Sequence, residues 1–203
     1  MKKNKFSKNW IIKQKRDIYV KQSKIEGYRS RAVYKLQEIN QKFKILKNGI
    51  KLIDLGAAPG SWSQFISKNF KNSKIVSIDL KQMEEIKNTY QIVGDFTDEL
   101  QKKKIIEYFN GKIDAVISDM AVNTTGNKSI DSIVTGELSV DALIFSTDIL
   151  KKQGCFVSKI FMGPSFNEII IIAKKKFKQV NVFKPPASRK DSKESFIICK
   201  YLR

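Results

Sequence analysis

The sequence predicts an α/β domain built on a doubly wound, mostly parallel sheet. Three observations carry this. From residue 51 onward, short Ile- and Val-rich runs alternate with amphipathic ones, the pattern of successive βαβ units. A loop of small residues, Asp54-Leu-Gly-Ala-Ala-Pro-Gly60, stands between the first apolar run and the first helical one. Acids then close successive runs, at Asp79, Asp95 and Asp119, where an open parallel sheet forms its ligand crevice.

Arg29–Phe43 reads as a helix, because Ala32, Leu36, Ile39 and Phe43 recur at i, i+4, i+7 and i+11 on one face. Arg29, Arg31 and Lys35 crowd its start, where cations oppose the helix macrodipole, so something other than helix stability placed them there. The strand candidates are Lys51–Leu55, Lys74–Leu80, Tyr90–Val93, Ile113–Ser118, Cys155–Phe161, Lys178–Phe183 and Ser195–Tyr201. Helix candidates lie near 61–69, 97–109, 135–151 and 165–176. The last two strands are joined by the short loop Pro185–Glu194, too short and too irregular for a parallel crossover, so they are expected to be antiparallel.

At 203 residues the chain is the length of one domain. It carries 39 Lys or Arg against 20 Asp or Glu, a net charge of +19. The surplus is uneven: residues 1–50 hold 15 basic and 3 acidic side chains, a net of +12, and residues 51–203 hold 24 and 17, a net of +7. The division expected is a basic N-terminal extension and helix at 1–50 and the main body at 51–203, one structural domain overall. Such a block fits a polyanion, either nucleic acid or an anionic membrane. Its lysines are interleaved with Trp10, Tyr19, Tyr28 and Tyr34, and aromatic rings can stack on unpaired bases.

Histidine is absent, which excludes a His general base, a Ser-His-Asp triad and an imidazole zinc site. Cys155 and Cys199 are too few and too far apart for a zinc ribbon, and no metal site is expected. The start lacks the apolar run of a signal peptide, and runs such as Ile169–Ala173 fall far short of the roughly 20 residues that cross a bilayer. The expectation is a cytoplasmic protein without a membrane partner.

The glycine loop is neither a Walker loop nor G-x-G-x-x-G, since Gly56 and Gly60 flank only Ala, Ala and Pro. Its small residues permit close approach of a ligand to the helix N-terminus. Asp79, about 20 residues past the loop, can take the two ribose hydroxyls of a nucleoside. Asp95 can accept from an exocyclic adenine amine. With Asp54 and Asp119, four acids gather at one edge of a basic protein. That edge repels phosphate and suits an adenosine carrying a cation, which S-adenosylmethionine is. Any one of these acids alone is more readily a turn or helix cap; four at successive strand ends, with the glycine loop, reverse that preference.

Taken together, Arg29-Ser-Arg-Ala32 with Lys35, Asp54-Leu-Gly-Ala-Ala-Pro-Gly-Ser-Trp62, Ser118-Asp-Met-Ala121, Val157-Ser-Lys159 and Ser192-Lys-Glu194 resemble the FtsJ/RrmJ ribosomal RNA 2′-O-methyltransferases. The resemblance runs from about residue 10 to the C-terminus. It implies a Rossmann-like fold with seven strands, the last antiparallel, and S-adenosylmethionine as cofactor. It also implies a uridine of the A-loop in large-subunit (23S) rRNA as target, within the assembled or assembling subunit, and a monomeric enzyme. The family's Lys-Asp-Lys-Glu tetrad falls on Lys35, Asp119, Lys159 and Glu194. Its cofactor residues fall on Gly60, Trp62, Asp79, Asp95 and Asp119, beside Asp54 and Gly56 of the loop. Two positions depart from the family pattern: Ser61, where a second Gly is usual, and Val122, where Pro is usual.

Methyl transfer to a ribose hydroxyl needs a base, and without histidine the candidates are lysine and carboxylate. Lys159 is favoured, because burial in an apolar strand favours the neutral amine. Asp119 then orients it, and Glu194 positions the ribose or a lysine. Each has a plainer alternative: Lys159 as a solvated strand lysine, Glu194 as part of a charged loop, Lys35 as a phosphate contact, Trp62 as core. RNA contacts are expected from Arg29, Arg31, Lys35, Arg189, Lys190 and Lys193. A non-catalytic rRNA-binding assembly factor, a nicotinamide-dependent dehydrogenase, and a methyltransferase of tRNA or an mRNA cap remain open.

Overall fold

The computed structural model describes residues 16–120, 128–163 and 166–203. Trp10, six of the twelve lysines in residues 1–50, and Val122 lie outside them. The elements run α1 (Ile18–Ile25), α2 (Ala32–Phe43), β1 (Lys51–Leu55), α3 (Ser61–Asn69), β2 (Lys74–Asp79), β3 (Thr89–Val93), α4 (Glu99–Phe109), β4 (Ile113–Ser118), α5 (Lys128–Ile149), β5 (Leu150–Phe161), α6 (Phe166–Lys176), β6 (Phe177–Phe183) and β7 (Glu194–Leu202).

One seven-stranded sheet holds them in the order β3-β2-β1-β4-β5-β7-β6. Pairs among β1 to β5 are parallel, and β7 runs antiparallel to both β5 and β6. Alternation along each strand sorts residues to two faces. Ile53, Val76, Val116 and Phe156 pack beneath α4, α5 and α6. Leu52, Ile75, Ile117, Val157 and Phe196 pack beneath α2 and α3. Val33, Leu36 and Ile39 of α2 are fully buried there, so part of the basic 1–50 segment belongs to the core.

Several ends shift by one to three residues, and three larger differences from the sequence reading stand out. α1 was not foreseen; Asp17 caps it by accepting from the Tyr19 and Val20 amides. α5 begins at Lys128 rather than 135. It ends at Ile149 because β5 starts at Leu150, five residues early. Lys151 to Gly154 form an irregularity in the pairing, which returns to register at Ala115 and Cys155.

Candidate active site

The carboxyl ends of β1, β2, β3 and β4 open onto one cleft of about 490 Å³, a volume in the range of small-ligand sites. At the end of β1, Gly56 turns the chain with φ +71°, and a Cβ there would stand 2.3 Å from Cγ of Met120. Glycine is required twice, by conformation and by space. The Gly56 and Ala57 amides donate to the carbonyl of Ile78, at 2.9 and 3.2 Å.

Asp79 ends β2. Its carboxylate accepts from the Ala58 amide (2.9 Å) and the Lys81 amide (2.8 Å), which ties the glycine loop to the turn after β2. Asp95 follows β3 and accepts from the Thr97 amide (2.9 Å) and hydroxyl (2.7 Å). Both acids line the cleft, with Gly56, Phe96, Asp119 and Met120.

Asp54, Gly60 and Trp62, which the sequence assigns to the cofactor, are not among the lining residues. Asp54 lies behind the wall and is 1% exposed. It accepts from the Ser63 amide (3.2 Å) and hydroxyl (2.7 Å), and Ser63 in turn meets Ser77 at 2.6 Å. Burial pushes its carboxyl up to about 7; the Ser63 hydrogen bonds oppose this, and Asp119 and Asp79 add to it. Gly60 starts α3 with φ +101°, and a Cβ there would meet Ile86 at 2.7 Å and the Arg29 guanidinium at 2.9 Å. Trp62 is core: its indole N–H donates to the carbonyl of Ala32 at 2.7 Å and its ring lies 5.9 Å from that of Phe196. All three are buried, behind the cleft wall rather than on it.

Beside the cleft, four ionisable side chains meet. Lys35 extends from α2 and places Nζ 3.4 Å from both oxygens of Asp119 and 3.1 Å from Glu194. Lys159, near the end of β5, places Nζ 3.2 Å from Asp119 Oδ1 and donates to the Asp119 carbonyl at 2.7 Å. All four side chains are at most 17% exposed. Lys159 shares the strand face of Cys155 and Val157, the face beneath α2, so alternation turns it toward Lys35. Burial works against the Lys35 ammonium, but Asp119 and Glu194 outweigh it and hold its pKa above the ordinary lysine value. Burial likewise works against the Asp119 carboxylate, and Lys159 and Lys35 reverse the balance, holding it below the usual range.

Arg29 and Arg31, which the sequence assigns to RNA, bond to the protein's own groups. Arg29 donates to the carbonyls of Pro59 (3.1 Å), Glu84 (2.9 Å) and Glu85 (2.9 Å), clamping the glycine loop to the segment after β2. Arg31 bonds Asp17 and the carbonyl of Ala187. Asp17 also pairs with Arg189 at 3.6 Å, and Glu38 accepts from the Ala187 amide at 2.8 Å. Together these bonds seat the loop between β6 and β7 on the N-terminal segment. Lys190 and Lys193 on that loop are exposed.

The sequence reading missed the cleft's apolar lining: Ile78, Leu80, Phe96, Met120 and Leu138. A signal existed, because an apolar residue adjoins Asp79, Asp95 and Asp119 in each strand-end motif. Ser139, which donates to the Lys159 carbonyl at 2.9 Å, had none, since only the fold brings α5 to β5.

This sheet order, with a glycine turn after β1 and acids at the ends of β2 and β4, defines a methyltransferase of the Rossmann-like class. The FtsJ-like methyltransferase family matches residues 28–202, and the chain belongs to that family. It is 66% identical to ribosomal RNA large subunit methyltransferase E of Pelagibacter ubique (strain HTCC1062), over the whole of both chains. The protein of that name from Rickettsia akari (strain Hartford) is 46% identical over 95% of this chain and 87% of its own. Among solved structures, a protein from Plasmodium falciparum described as a ribosomal RNA methyltransferase superposes with a TM-score of 0.76 at 33% identity. That match covers 86% of this chain and 98% of the other.

Proposed function

We propose that this chain transfers a methyl group from S-adenosylmethionine to the ribose 2′-hydroxyl of a uridine in large-subunit ribosomal RNA. The observation that carries the reading is the Lys35–Asp119–Lys159–Glu194 cluster at the rim of an acidic cleft. The names of the relatives supply the substrate class, rRNA of the large subunit.

The cleft's residues fit the cofactor. Asp79 and Asp95 are carboxylates with room for hydroxyl and amine donors, Phe96 and Met120 offer apolar surface, and three acids line it. S-adenosylmethionine, when bound, supplies a methyl group on a cationic sulfur that departs as a neutral thioether. Asp79 would hold the ribose hydroxyls and Asp95 the adenine amine.

Lys159 is the base in this reading. Lys35 is held as an ammonium by two carboxylates and cannot accept a proton. With Lys159 as a free amine, the cluster of one ammonium and two carboxylates carries a net charge of −1. The hydroxyl's proton passes to Lys159 Nζ as the oxygen attacks, and the cluster returns to neutrality. The new ammonium lies 3.2 Å from the Asp119 carboxylate, which stabilises it. Glu194 and Lys35 fix one another and border the place the ribose would take. Exposed Lys190 and Lys193 would meet phosphates.

The test is to map ribose methylation on total rRNA from cells lacking the protein. Loss of one 2′-O-methyluridine in the large subunit is expected, restored by the unaltered chain and not by Lys159→Ala. An unchanged methylation map would overturn the reading.

A further inference from the structure

The other end of the sheet carries a charged concavity that methyl transfer does not use. There, a pocket of about 540 Å³ is lined by Lys44, Lys47, Lys151, Lys152 and Lys200, with Asp114 and Tyr201. The first four lysines are exposed. Among the described residues lining it, Asp114 is the one acid, and it is fully engaged: it accepts from the Lys51 amide (2.9 Å) and pairs with Lys151 (2.9 Å) and Lys47 (3.3 Å). Burial opposes its charge, yet these partners hold its carboxyl below the usual range. The side chains lining the concavity keep a surplus of four positive charges, although Lys152 donates to the main-chain oxygen of Arg203 (2.8 Å) and Lys200 to that of Phe43 (2.5 Å). Like charges gathered in one hollow repel one another, and a bound polyanion relieves that repulsion.

A second feature points to the polyanion's nature. Tyr201 lines the same pocket, is 41% exposed and sits at φ +61°. Bulky side chains rarely adopt that conformation, and such strain gathers at ligand clamps. Phosphate-binding lysines around an aromatic ring are the chemistry of a nucleic-acid strand with an unpaired base. A planar lipid surface would fit a hollow poorly.

We infer that this pocket is a second RNA-binding site, taking the phosphate backbone of the substrate on its lysines and stacking a base on Tyr201. The inference rests on the reading that RNA is the substrate. Strands of five or six residues separate this pocket from the cleft, roughly 20 Å at the rise of an extended chain. An RNA that engages both must reach well beyond the nucleotides in the cleft, so the second site distinguishes long structured RNA from short RNA. It also gives Lys44 and Lys47, part of the N-terminal surplus, a task away from the catalytic rim.

The experiment compares the unaltered protein with Lys47→Gln/Lys152→Gln and with Tyr201→Gly, which relieves the backbone as it removes the ring. Each binds full-length 23S rRNA and a short oligonucleotide over a range of salt, with S-adenosylhomocysteine calorimetry as a check on folding. For the double variant, long-RNA affinity should fall about tenfold, and the slope of log affinity against log salt should lessen by about two. Tyr201→Gly should weaken long-RNA binding about tenfold with the salt slope unchanged. Short-RNA binding should not move in either. An unchanged salt slope in the double variant, or equal losses on long and short RNA, would overturn the inference. So would loss of binding to phosphatidylglycerol vesicles with RNA affinity intact, which would make the site a lipid contact. None of these readouts uses methyl transfer, so an absent methylation defect would sink the functional reading while leaving this comparison decisive.

Discussion

The ammonium of Lys35 stands 3.1 Å from a carboxylate oxygen of Glu194, a residue 159 positions further along the chain. Glu194 opens the antiparallel strand β7, opposite Phe161 of β5, so the last strand of the chain, seated between β5 and β6, delivers the last member of the cluster. Removing its charge should leave Lys35 held by Asp119 alone. Glu194→Gln is expected to lower turnover about tenfold to a hundredfold with cofactor affinity unchanged. Radiolabelled methyl transfer and calorimetry with S-adenosylhomocysteine check this; weakened calorimetric binding would instead put Glu194 in the cofactor site.

Lys159→Arg should be inactive, with turnover at least about a hundredfold lower, because a guanidinium does not give up its proton at working pH. The variant keeps a cation beside Asp119, so the pairing at 3.2 Å has a replacement and the fold is expected to stand. Circular dichroism and methyl transfer on the same sample separate the two effects. Near-normal turnover would take lysine out of the base role.

Asp79 links two loops and faces the cleft. Asp79→Asn keeps an acceptor for one loop and removes the charge. S-adenosylhomocysteine affinity should drop about tenfold or more, by loss of charge-assisted hydrogen bonds to ribose hydroxyls, with turnover recovered in part at saturating cofactor. Unaltered affinity in calorimetry would move the ribose elsewhere.

The order of strands and helices was legible because apolar periodicity reports burial: β1, β2 and β4 are buried almost throughout, and β7 is buried from Ser195 to Cys199. Acids at strand ends were legible as a group because parallel topology aligns those ends. What the sequence did not disclose is which side of the wall a residue occupies. Trp62 and Asp54 sit in the same motif as Gly56, but the tight turn sends them into the core while Gly56 lines the cleft. Arg29 and Arg31 carry charge, so composition assigns them to a polyanion; carbonyl acceptors brought near by the fold claim them first. α1 escaped because its stability comes from one cap, Asp17, and tertiary contact rather than from a periodic face.

Arg29 therefore gives a prediction opposite in kind to an RNA contact. Its three bonds to main-chain carbonyls should make Arg29→Ala lose about 1–3 kcal/mol of stability and bind S-adenosylhomocysteine more weakly. The salt dependence of RNA binding should stay as it was. Lys193→Gln should do the reverse, flattening the salt slope by about one at unchanged melting temperature. Denaturation and filter binding on both variants check the contrast.

Asp54 makes stability depend on pH in a direction unusual for a carboxylate. Burial raises its folded value from 3.8 to about 7. Between those values the unfolded chain has released the proton and the folded chain keeps it, so folding binds a proton and each rise in pH opposes it. The contribution is complete below about pH 3.8 and is lost as pH climbs through about 7. It amounts to at most about 4 kcal/mol, three pH units at about 1.36 kcal/mol each. Asp119 works the other way: its value is lowered, so its contribution is present at neutral pH and lost in acid. Asp54→Asn retains an acceptor for Ser63 and removes the titration, while Asp119 stays in both proteins. The stability of the unaltered chain minus that of Asp54→Asn, from urea melts between pH 4 and 8, should decline steadily with pH and level off above 7. A difference that stays flat would mean that Asp54 is ionised in the folded protein, and that the Ser63 amide and hydroxyl solvate it better than its burial suggests.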